Sequence, residues 1–404
     1  MNPKKVKRAA GMEALRAVAS MLLCVIVTSS WSACYKAGKP GEVDTDTASG
    51  TDSDSDSDGD SESDSGESTD TGTGTPHQGQ HLRAIMGTGP DDIYAAGTCG
   101  LLLHFDGKEW TEIDLGADNT FNTVWAVAKE NVLVGGAVYD ECNSEGACGQ
   151  GIIYRFDGMI WQRGFERTED CSAIVSIWGA SSDNIYAVGG YSSDSQSDIS
   201  HFDGSSWSTL SSSGMDQVCY LGSGHRWSDI PQAIWGFASA EIYIYAEYCG
   251  ADEIISTLYY FPHIFDKTCS IIDVASGYSH GRGIGSIWGS SPEDVFAVRD
   301  TGPAVYRYDG TAWSEMETGG AEELMSIWGL GPKDVYAVGL KGRIIHYDGD
   351  SWKSMKTGIA GDLRGVWGTK EAIYAVGDDN AKLPDEERSP AIYRYDGQSW
   401  TRVY

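Results

Sequence analysis

The sequence predicts an all-β protein, a seven-bladed β-propeller of four-stranded antiparallel blades. Three observations predict it. A half-motif of the form I-W-G, a short polar turn and D-V-Y-A-V-G returns seven times between His81 and Tyr404. A second half-motif, aromatic-Asp-Gly-x-x-Trp, follows it in six of the seven repeats. Glycine reaches 51 residues, which suits many short strands joined by tight turns.

Each repeat predicts four strands. Strand A carries L-x-x-I-W-G, with its Trp position filled by Met86, Trp125, Trp178, Trp235, Trp288, Trp328 and Trp367. Strand B carries D-V-Y-A-V-G. Strand C runs into the aromatic-Asp-Gly, and strand D begins at the Trp that follows. Alternating apolar residues in strands A to C mark the buried face. Asp106, Asp157, Asp203, Asp309, Asp348 and Asp396 are the expected structural turn residues. Each precedes a glycine that supplies positive φ to a C–D hairpin, and each carboxylate can accept backbone N–H groups of its own turn. The fourth repeat departs from the pattern and reads Phe265-Asp266-Lys267.

The C–D turn resembles the Asp-box of BNR-type propellers. The whole repeat, over residues 81–404, resembles those of kelch-like propeller lipoproteins of the bacterial cell envelope. The resemblance implies the fold. It departs where the Asp-box usually has Ser or Thr, two residues before the Asp: here stand His104, Arg155, His201, Arg307, His346 and Arg394. Three histidines raise the question of a metal centre. They share one repeat position with arginine, which is not a zinc ligand, and rotation around the ring separates them, so a structural role is expected and no metal. No cofactor is expected either. Asp54 to Gly59 matches half of a calcium loop, but its twelfth position is Ser65, and low-complexity sequence is the better account.

The segment before the repeats divides in two. Residues 1–33 read as an export signal: Lys4, Lys5, Lys7, Arg8 and Arg16, then an apolar run over 17–27 too short to span a bilayer. Trp31-Ser32-Ala33-Cys34 resembles a bacterial lipoprotein signal, which implies lipidation of Cys34, although Trp31 stands where that family usually has leucine. The expected destination is the cell envelope, as an outer-membrane lipoprotein on either side of that membrane. Cleavage after Ser32 would instead give a secreted protein. Residues 34–76 form the linker. Its stretch 42–75 holds twelve acidic and no basic residues, with no apolar face to bury, so it is expected to be an extended tether. The propeller is assigned to 77–404.

Net charge is −30, which repels phosphate backbones and argues against a nucleic-acid partner. A four-stranded meander sends its B–C and D–A connections to one edge of the ring and its A–B and C–D turns to the other. The long inserts, 137–150, 166–172, 191–197, 211–231, 249–253, 275–283 and 378–390, all fall on the first edge. Long loops on one edge of a rigid scaffold are the usual arrangement of a binding surface. The candidate ligand residues there are Trp227, with Arg226, His225, Tyr220, Tyr278, His280 and Arg282. The candidate disulfide cysteines are Cys142, Cys148, Cys171, Cys219, Cys249 and Cys269, with Cys99 a seventh in the repeats; Cys142 and Cys148 pair most readily by proximity.

The function expected is non-catalytic binding of a glycan or a protein through this edge, on a chain held at the membrane by its lipid. Two alternatives stand beside it. One is a carbohydrate-active hydrolase or lyase using acidic loop residues such as Glu169, Asp170, Asp252 and Glu253. The other is a scaffold subunit of an envelope complex. Gly277-Tyr278-Ser279-His280-Gly281 matches G-x-S-x-G, but it leads into a strand A and not into the strand-turn-helix that a nucleophile elbow requires.

Overall fold

The computed structural model describes residues 77–117, 119–138, 149–167, 172–189, 198–210, 230–237, 241–249, 254–263, 268–272, 284–299 and 302–404. The signal (1–33), Cys34 and the linker to residue 76 lie outside them. Seven four-stranded antiparallel sheets follow one another, at 82–112, 120–166, 176–210, 230–272, 284–316, 324–354 and 363–402. In each the strands lie in chain order, so every blade is an A-B-C-D meander. The inner strand A of each blade packs on that of the next, and Leu363–Gly368 of blade 7 packs on Leu82–Gly89 of blade 1. The chain is a closed seven-bladed β-propeller in which no blade borrows a strand.

The repeat residues mark the strand ends. Strand C stops at Phe105, Phe156, Phe202, Tyr308, Tyr347 and Tyr395, and strand D starts at the Trp five residues on. Those two rings pack together in all six blades, with centroids 5.2 to 5.6 Å apart. Blade 4 keeps its four strands despite its irregular turn, with strand C at Ile254–His263 and strand D at Thr268–Ile272. Strand B corrects the expected alternation. Asp92–Gly97 and Ile373–Asp378 are buried along their whole length, because neighbouring blades cover both faces of each sheet.

The strand A tryptophans take two positions. Trp125, Trp235 and Trp328 stay partly exposed and meet across the axis: Trp125 to Trp235 at 6.0 Å and Trp235 to Trp328 at 6.1 Å, both edge-to-face. These blades are not neighbours, so the contacts place the three rings on the axis. Trp178, Trp288 and Trp367 are buried between blades, and each packs on the strand B aromatic of its own blade, Tyr186, Phe296 or Tyr374. Inner and outer positions alternate around blades 2 to 7. Seven is odd, so strict alternation fails once, and at that place stands Met86, whose unbranched chain fits irregular space.

Each outer tryptophan lies over the glycine that follows the Trp position of the next blade. A Cβ on Gly236, Gly329 or Gly87 would sit 2.7, 2.4 or 2.7 Å from the ring of Trp178, Trp288 or Trp367. The glycine is required by this approach of ring to backbone and not by φ.

Gly329→Ala should therefore destabilise by ~1–3 kcal/mol, the usual range for overpacking a rigid site. Gly331→Ala, on the same strand with nothing within 4 Å of its would-be Cβ, should be near neutral. Denaturant midpoints of the two variants check this. Equal midpoints would contradict the ring-on-glycine packing.

Candidate functional site

The two edges of the ring are built differently. On the C–D edge the six Asp-Gly turns form as the sequence predicts. Their glycines have φ between 87 and 94°. Each Asp Oδ1 accepts the backbone N–H of the second and third residues after it, at 2.8 to 3.0 Å. Those bonds favour the ionised form. At Asp203 the N–H groups of Ser206 and Ser205, with the Ser205 hydroxyl, hold the carboxyl down to about 2. At Asp348 the Lys353 ammonium is the largest cause and drives the carboxyl further below the ordinary range.

The residues two before each Asp clip strand C to the start of strand B. His104 Nε2 donates to Asp92 at 2.8 Å, His201 to Asn184 at 2.7 Å and His346 to Asp334 at 2.7 Å. Each imidazole also packs on a tyrosine of strand B, 4.4 to 4.6 Å away. Arg155 Nε donates to Asn131 and Arg307 Nε to Asp294, both at 2.8 Å. In irregular blade 4 the Tyr260 hydroxyl donates to Glu241. The three histidines are thus occupied in three separate blades. Among the described residues no group of three His, Cys, Asp or Glu is arranged to hold a metal.

On the insert edge, buried and partly buried arginines brace the connections. Arg167 is 4 % exposed and donates to the Gly189 carbonyl at 2.6 Å and the Ser200 hydroxyl at 3.0 Å. Arg343 bonds the Thr318 carbonyl and hydroxyl and the Glu322 carbonyl. Arg388 folds the 379–389 connection, donating to the carbonyls of Leu383 and Ala381 at 2.9 and 3.0 Å. It also pairs with Asp385 at 2.8 Å and Asp362 at 3.3 Å. Asp378 is fully buried between blades 7 and 1, taking bonds from Arg364 Nη1 at 2.8 Å and the Asp362 N–H at 3.0 Å. His81 enters the same junction from blade 1. Burial, then the nearby Arg364 cation, lowers its pKa.

One repeat position at the start of strand A, on the side of this edge, was not singled out by sequence reasoning. It holds Arg83, Asn122, Val175, Gln232, Gly285, Met325 and Arg364. The signal was available: it is the third residue before each Trp position. Both cations fall on the adjoining blades 1 and 7. Arg83 Nη1 donates to Asn122 at 2.8 Å, linking blade 1 to blade 2.

Trp227, Arg226, His225, Tyr220, Tyr278, His280 and Arg282 lie outside the described residues. So do Glu169, Asp170, Asp252 and Glu253, the segment Gly277 to Gly281, and Cys142, Cys148, Cys171 and Cys219. Cys249 and Cys269 fall on strands of blade 4, with their side chains outside the description. Cys99, at the B–C turn of blade 1, is disulfide-bonded.

No protein-family model matches the chain, and no curated protein matches it in sequence. Solved structures match in fold. YCF48 bound to D1 peptide aligns with a TM-score of 0.53 at 12 % identity, over 76 % of this chain and 92 % of that one. YCF48 from Cyanidioschyzon merolae gives 0.52 at 12 %, over 76 % and 95 %. The WD40 β-propeller domain of Doa1 gives 0.50 at 12 %, over 80 % and 95 %. At that identity the likeness shows the propeller fold.

The Asp turns set a pH dependence. A carboxyl whose folded pKa lies below the ordinary 3.8 contributes stability that is complete above that value and lost as pH falls through the folded pKa. The Asp203 side-chain carbon should titrate near 2 by NMR, and the thermal midpoint should fall as pH drops from about 4 to about 2. Asp203→Asn, which keeps an acceptor oxygen, should shallow that fall. Titration of Asp203 at the ordinary value would contradict the turn geometry.

Proposed function

We propose that the chain is a non-catalytic binding protein of the bacterial envelope, whose propeller presents its B–C and D–A edge to a protein ligand. One observation carries the reading. The ring is closed and every blade is a meander, so all the long inserts leave from the same edge of one rigid body. Buried Arg167 and Arg343 and partly buried Arg388 hold the described connections of that edge in fixed positions, which lowers the ordering cost of binding. A propeller of the same fold, YCF48, is seen bound to the D1 peptide, which favours a protein over a glycan as the ligand class. Lipidation at Cys34 and the acidic linker would hold the propeller off an outer-membrane surface. The disulfide at Cys99 is in keeping with export to an oxidising compartment.

Photo-cross-linking in cells tests this. A cross-linker at Trp227, or at exposed Lys382 on the blade 7 insert, should capture a discrete protein adduct. One at Met159, 84 % exposed on the opposite edge, should not. Trp227→Ala should weaken capture without lowering the thermal midpoint. Adducts from Met159 alone would overturn the assignment of the edge. Cys34→Ser should move the protein from the membrane to the soluble fraction, and unchanged fractionation would remove the lipid anchor.

A further inference from the structure

The clip between strands B and C is complete in six blades and open in the seventh. Strand B begins with an acid or amide at Asp92, Asn131, Asn184, Glu241, Asp294 and Asp334, and each takes a hydrogen bond from strand C. In blade 7 the matching position is Ala372. The register fixes the comparison: Tyr374 pairs with Arg394 as Phe296 pairs with Arg307. Arg394 therefore has the place of Arg155 and Arg307 with no side chain to receive it. Its guanidinium makes no hydrogen bond or ion pair among the described residues. Asp396, two residues on, feels its charge as the least of the causes that depress that carboxyl.

A cavity of about 430 Å³ lies at this place, between blades 7 and 1. Arg394 and Lys108 bring two cations to it, and Phe105, Trp110, Tyr374, Val403 and Tyr404 form most of its wall. Trp110 meets Tyr374 edge-on at 6.5 Å across the blade boundary. Glu109 also lines the cavity and makes no ion pair with either cation. In a chain of net charge −30, an arginine without a partner beside an aromatic cavity is an exception that selects for negative charge.

We propose that this cavity receives a peptide segment whose acidic side chain pairs with Arg394 and whose neighbouring apolar side chain lies against Phe105, Trp110, Tyr374 and Tyr404. The inference goes beyond the insert-edge reading and stands independently of it. A peptide fits better than an acidic sugar. The wall is mainly apolar, and Glu109 is its one acidic side chain, so the many hydroxyls of a saccharide would find few acceptors there.

The test uses the purified chain and two probes, acetyl-Phe-Glu-Leu-amide and its Gln counterpart. Binding is read from the Trp110 indole and Arg394 Nε NMR resonances. The Glu probe should shift both saturably and bind at least about ten-fold more tightly than the Gln probe. Arg394→Gln should remove that preference. Ala372→Asp should restore the internal pair, abolish binding and leave the thermal midpoint equal or higher. Equal affinity for the two probes, no saturable shift, or undiminished binding by Ala372→Asp would overturn the proposal. So would an oligogalacturonate that shifts the two resonances while the Glu probe does not.

Discussion

The structure depends on the approach of an indole ring to a glycine backbone at three of the seven blade junctions, 3–4, 5–6 and 7–1. Trp178, Trp288 and Trp367 each lie where a Cβ on the next blade would stand. This contact fixes how closely two sheets approach, and with it the rotation from blade to blade. Large aromatic area is buried where seven sheets converge, the place at which a wedge-shaped assembly has least room. The alternation of inner and outer tryptophans is one solution to that crowding. Its interruption at Met86 follows from the odd number of blades.

From that inner frame the two edges receive different tasks. The C–D edge is made of short turns whose carboxylates accept their own backbone, so each turn holds its own shape. The insert edge is held by arginines, two of them buried, that bond carbonyls of the connections. Arginine suits this because its planar fork serves several carbonyls from one side chain. The junction of blades 7 and 1 has no shared strand and is secured by packing of Trp367 and by charges around Asp378. The same junction is the place where the strand B–C clip is left open.

Much of the fold was legible in the sequence because the repeat writes its strand ends in residues with strong local demands. Asp-Gly names a positive-φ turn, and the Trp after it begins strand D in six blades. Full burial of strand B was not legible, since a period-2 reading assumes one solvated face. The partners of His104 and Arg307 were visible as the acids that open strand B, but their contact follows only from register. The two tryptophan positions could not be read from sequence, because one residue type at one repeat position adopts both. Arg167 and Arg388, which stand in the inserts 166–172 and 378–390, prove to be braces. Trp227 and its neighbours belong to inserts with no repeat to constrain them, so sequence could place them on an edge but not against a ligand.

The claim on which the account turns is that the ring is closed at blades 7 and 1 without a shared strand, by side-chain packing and the charges around Asp378. Hydrogen exchange followed by mass spectrometry tests it most directly. Amides of the inner strands at 82–87 and 363–368 should be as protected as those of blades 5 and 6 and should exchange with them in one cooperative opening. Fast exchange confined to those two strands would contradict closure.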